Sequence, residues 1–132
     1  MASVIYPKAK EALLKGDLDL EAGTVRAVLI DTGVYTYNAA HDNYDDLMGV
    51  VGSESGALTS KTYTDGTFDA ADITFAGVTG NTVEAIVLFL DTGNPANDKL
   101  IAYIDSASSG LPLTPNGGDV VVSWSESGIF SL

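Results

Sequence analysis

Apolar and polar residues alternate along most of this chain with the two-residue period of half-buried strands. TVRAVLID (24–31) places Val25, Ala27 and Leu29 on one face and Val28 and Ile30 on the other beside Arg26, so both faces are largely apolar and a central strand is predicted. TVEAIVLFLD (82–91) is the longest apolar run, and its β-branched and aromatic content predicts a buried strand rather than a helix. LIAYID (100–105) and DVVVSW (119–124) repeat the pattern; in the latter Val120, Val122 and Trp124 share a face. Between 49 and 77 two strand-like runs flank Asp65-Gly66, a dipeptide favoured in tight hairpins, and Ile73 and Phe75 alternate with Thr74. Leu18 and Leu20 alternate with acids and suggest a short extended piece.

One segment breaks the period. Residues 6–16 carry Pro7 at a first-turn position, then Ala9, Glu11, Ala12, Leu13, Leu14 and Lys15, and stop at Gly16, which predicts a short helix with Ala9, Leu13 and Tyr6 toward one face. Residues 38–48, rich in Asn and Asp, predict a loop with one helical turn. Seven or eight short strands with regular turn signals predict an all-β fold, a mainly antiparallel sandwich or Greek-key arrangement with one short N-terminal helix. No composition break divides the chain. The expected organisation is one domain over 1–132, with residues 1–5 as a contact arm, 6–16 as the helix and 17–132 as the sheet core.

Composition narrows the function. Eighteen acids against six bases give a net charge of −12, which repels a phosphate backbone or an anionic membrane; neither nucleic acid nor membrane is an expected partner. Lys8, Lys10 and Lys15 are the only basic cluster, and they read as the solvated face of the helix. Without cysteine, neither a disulfide nor a thiolate metal site is possible. No apolar run reaches the roughly 20 residues of a membrane span, and the N-terminus lacks the pattern of a signal peptide, so a soluble protein made in the cytoplasm is expected.

Candidate chemistry is sparse. Asp31-Thr32-Gly33 and Asp91-Thr92-Gly93 each follow an apolar strand, the way aspartic proteases present two carboxylates that share a proton. Yet Val34 and Asn94 follow the triplets and no apolar-apolar-Gly segment braces them, so strand-end turns are the favoured reading. His41 is the only histidine; with Asp42, Asp45 and Asp46 it sketches a cation loop, but HDNYDD lacks the spacing of a calcium loop and reads as solvated acid. No Gly-x-Ser-x-Gly turn or phosphate loop is present, so no catalytic, cofactor or metal residue is expected. Tyr35 and Tyr37, on one side of an extended piece, are contact or sheet-rim candidates.

Taken in order, YPKAKEALLKGDLDL (6–20), TVRAVLID (24–31), SGALTSKT (55–62), DAADITF (69–75), LIAYID (100–105) and GLPLTPNGGDVVVSW (110–124) resemble a group of small virion proteins of tailed bacteriophages, of the head-decoration or capsid-cement type. The resemblance implies a non-enzymatic protein on the outer surface of the head that clamps subunits of the major capsid protein, commonly as a homo-oligomer, with a trimer favoured. A tail, baseplate or fibre-associated β-domain is the alternative, and an aspartic-protease-like enzyme using Asp31 and Asp91 is a third reading. Val4, Ile5, Tyr6, Leu13, Tyr35 and Tyr37 are the contact candidates, Val4 and Ile5 because they occupy a chain end that either docks on a partner or completes the protein's own sheet edge.

Overall fold

A computed structural model describes residues 4–52, 54–104, 112–124 and 128–131. The elements run β1 (Val4–Ile5), α1 (Pro7–Lys15), β2 (Thr24–Ile30), β3 (Val50–Val51), β4 (Thr67–Phe68), β5 (Ile73–Phe75), β6 (Ala85–Asp91), β7 (Leu100–Ile104), β8 (Val120–Val122) and β9 (Phe130–Ser131). The strands form an antiparallel five-stranded sheet in the order β1-β7-β6-β2-β3 and two two-stranded ribbons, β4-β9 and β5-β8. The fold is therefore all-β with one short helix.

The three apolar runs occupy the middle of the sheet because both of their faces must leave water. All of β7 and residues 85–89 of β6 are buried, as are Val25 and residues 27–30 of β2. β2 and β6 pair along their whole length, from Thr24 opposite Asp91 to Ile30 opposite Ala85. A register shift between Leu88 and Phe89 interrupts the β6–β7 ladder. Beyond β3, the outer edge of β2 is closed by the loop after it: Ser55 N–H donates to Ala27 C=O (2.8 Å), Leu58 N–H to Val25 C=O (2.8 Å), and Ala27 N–H to Ser55 Oγ (3.0 Å). Ribbon residues Phe68, Ile73, Phe75 and Val122, with Trp124 just after β8, join the same buried cluster as the sheet.

Helix α1 begins and ends where its sequence signals lie. Pro7 stands at its start, and Gly16 adopts the left-handed region (φ 76°) while Asp17 N–H donates to Ala12 C=O (2.8 Å). Ala9 and Ala12 are buried, so the helix lies against the sheet through small side chains and packs onto β7. Leu18 and Leu20 do not form a strand; they are buried within a turn-rich connection that ends at Gly23, where a Cβ would run into the Leu90 side chain and the Asp19 carbonyl.

The Asp65-Gly66 step turns as expected, with both residues at positive φ (54° and 80°) and Thr62 and Asp69 exchanging backbone bonds of 2.9 and 3.1 Å. The arms stay joined further out, where Ala71 N–H donates to Thr59 C=O (2.9 Å), and β4, inside the Thr62–Asp69 pair, also pairs with β9. The N-terminal arm is corrected in part: Val4 pairs with Tyr103 and Ile5 with Ala102, so the arm's last two residues form an edge strand of the sheet, while residues 1–3 lie outside the described residues. Residue 105 and the start of the long connection (105–111) lie outside them as well.

Candidate functional site

The two Asp-Thr-Gly triplets sit at opposite ends of the β2–β6 pair. Asp91 faces Thr24 at one end and Asp31 follows Ile30 at the other, a separation of about 23 Å at the usual strand rise. Within one chain the carboxylates cannot share a proton. Each organises its own turn: Asp31 Oδ1 accepts from Gly33 N–H (2.8 Å) and Oδ2 from Asn81 Nδ2 (3.0 Å), while Asp91 Oδ1 accepts from Gly93 N–H (2.9 Å). Asp91 Oδ2 also accepts from Arg26 Nε at 2.7 Å, and Arg26 Nη1 donates to Ser55 C=O (3.1 Å), tying the sheet end to the loop that closes β2. The buried Asp98 is likewise spent on a turn, accepting from Thr92 N–H (2.6 Å) and Oγ1 (2.5 Å).

The acidic loop behaves the same way. Asn43 and Asp46 form a reciprocal capping box around the helical turn Tyr44–Asp46. Asp46 Oδ2 accepts from the N–H groups of Asp42 (3.0 Å) and Asn43 (3.3 Å), and the Asp42 N–H chiefly holds its pKa below the ordinary value. Among the described residues, no group of three or more His, Cys, Asp or Glu is placed to hold a metal ion.

Three of the contact candidates turn out to be partners of one another. Tyr6 is fully buried and its hydroxyl bonds that of Tyr35 at 2.8 Å; Tyr35, also buried, bonds His41 Nδ1 at 2.8 Å. Tyr37 packs between Tyr6 (ring centroids 5.1 Å apart) and Tyr103 (5.4 Å) with its ring tilted to both, and is half-buried. Tyr35 and Tyr37 lie in an irregular segment, not on a strand, which lets both rings turn inward. Burial pushes the phenols of Tyr6, Tyr35 and Tyr37 above their ordinary range, Tyr6 furthest, with the bond to Tyr35 adding to the rise. Tyr6 and Tyr35 are therefore core residues of this chain. A one-sided alternation in the sequence does not distinguish a surface platform from an internal aromatic cluster.

The remaining candidates line two clefts beside α1, one of mixed polarity and one apolar. Val4 and Ile5 line a shallow cleft of about 330 Å³ with Ile129 and Phe130. Phe130 also lines an apolar cleft of about 420 Å³, where Leu13 joins Leu18, Leu20, Phe68 and Tyr63. Leu14, next to Leu13, is 90% exposed. Sequence reasoning singled out Leu13 but not Leu18, Leu20, Phe68 or Phe130 as neighbours. The alternation of Leu18 and Leu20 with acids was the available signal, since it separates an apolar side from a charged one.

Among the described residues, the carboxylates of Asp31, Asp46, Asp91 and Asp98 are engaged in their own turns, and the cleft beside α1 is apolar. No protein-family model matches the chain, and no curated protein matches it. Among the described residues no helix is long and apolar enough to cross a membrane.

Proposed function

We propose that this chain is a non-catalytic virion protein that binds the outer surface of a tailed-phage head and stabilises the shell by bridging neighbouring copies of the major capsid protein. The partner class comes from the ordered sequence blocks that resemble capsid-cement proteins. The observation that carries a contact role is the concentration of open apolar side chains on and beside α1 (Leu13, Leu14, Val4, Ile5 and Phe130), next to a sheet whose central strands β2, β6 and β7 are largely buried. A ligand that binds only the assembled lattice lowers its free energy by mass action and needs no turnover. The acidic surface suits a position away from packaged DNA, and a trimer at local threefold positions is the assembly that the resemblance favours.

The test is reconstitution. Heads assembled without this chain should form but lose integrity at a lower temperature than complete heads, and purified protein added back should restore the difference. Purified protein that never binds heads, or that labels tails alone, overturns the proposal.

A further inference from the structure

We infer that the cleft between α1 and the β4–β9 ribbon is a docking groove for an extended polypeptide segment that brings large apolar side chains flanked by lysine or arginine. The inference deepens the contact role just proposed and rests on it for the source of the segment. The floor is apolar: Leu18, Leu20 and Phe68 are nearly closed off from solvent, and Leu13 and Phe130 form half-buried walls. At about 420 Å³ the cleft accepts a few side chains but no folded element, within the range of small-ligand sites.

The rim fixes the charge of the occupant. Asp19 and Glu21 line the mouth and are exposed, and Gly16 brings the C-terminal, partially negative end of α1 to the same place. Asp19 Oδ1 accepts from the N–H groups of Glu21 and Ala22 (both 3.0 Å), which leaves Oδ2 for an outside donor. Lys61 Nζ is held on the carbonyls of Leu20 (2.7 Å) and Gly23 (3.0 Å) of the same turn, where its charge offsets one of the two rim acids and leaves the rim net negative with the helix end. Lys15 is paired with Glu11 at 3.0 Å. A second copy of this chain, at −12, meets repulsion here, whereas a cationic apolar segment gains from both the floor and the rim.

The probe is a capped peptide Lys-Leu-Lys-Phe-Lys, titrated into ¹⁵N-labelled full-length protein, with the same peptide carrying Glu for Lys, a Lys-Ser-Lys-Ser-Lys peptide and laurate as comparisons. The cationic apolar peptide should shift the amides of residues 13–21, 68 and 130 and weaken by about tenfold between low and half-molar salt. Glu21→Gln with Asp19→Asn, which keeps the turn-forming Oδ1, should weaken binding severalfold at low salt, and Leu13→Ser should abolish it; unchanged dispersion of the remaining amides confirms folding. No shifts at millimolar peptide, equal binding of the acidic peptide, the Lys-Ser peptide or laurate, or indifference to the double substitution overturns the inference. Peptide binding without head binding leaves the groove standing and removes the capsid reading. Head binding that the double substitution leaves unchanged does the reverse.

Discussion

Tyr35 holds two polar partners with one hydroxyl, Tyr6 on the buried side and His41 toward the surface. Removing that hydroxyl strands the fully buried Tyr6 O–H, whereas removing the Tyr6 hydroxyl leaves Tyr35 still bonded to His41. Tyr35→Phe should therefore cost about 1–3 kcal/mol and Tyr6→Phe only about 1 kcal/mol, with the double variant costing less than the sum. Urea denaturation of the three proteins checks this. The same cluster gives a pH limb of known sign. The Tyr6 phenol lies above its ordinary value of 10.0 in the folded state because burial disfavours the phenolate, so its stabilising contribution is complete below pH 10 and is lost as pH rises toward the folded value. Stability should fall on the alkaline side, and less steeply in Tyr6→Phe. Alternation at Tyr35 and Tyr37 was visible in the sequence. The inward turn was not, because it depends on Tyr6 and Tyr103 arriving from elsewhere in the chain.

At the scale of elements, local signals translated well wherever their causes were local. Pro7 and Gly16 bound α1 through fixed backbone angles, and Asp65-Gly66 turns because those residues tolerate positive φ. Partner choice is a different matter. β4 follows the turn yet pairs with β9, and β1, a two-residue strand, takes the edge beside β7. Deleting residues 1–5 should consequently lower stability by about 2 kcal/mol, from two half-buried aliphatic side chains at roughly 1 kcal/mol each, because it uncovers the edge of β7. Thermal and urea melts of the truncated chain measure this. A truncation of unchanged stability would show that β1 contributes little to the sheet and that Val4 and Ile5 are free to act on a partner.

For the whole molecule, a charge of −12 on a fold of 132 residues means self-repulsion in the folded state, relieved by screening. The melting temperature at neutral pH should rise by several degrees between about 0.02 and 0.5 M NaCl, where screening becomes nearly complete; a flat or falling response in differential scanning calorimetry would show that favourable pairs such as Arg26–Asp91 outweigh the repulsion. The sequence by itself determined the charge, the strands β2, β6 and β7, the helix α1 and the turn character of the two Asp-Thr-Gly triplets, because each follows from composition, period or backbone preference within a short window. Only the tertiary structure decided that the two aspartates stand at opposite ends of a strand pair, that the tyrosines face one another, and that Leu13, Leu18, Leu20, Phe68 and Phe130 meet in one acid-rimmed cleft. Those facts depend on which strands pair and in which register, and pairing is settled by the burial of the whole core.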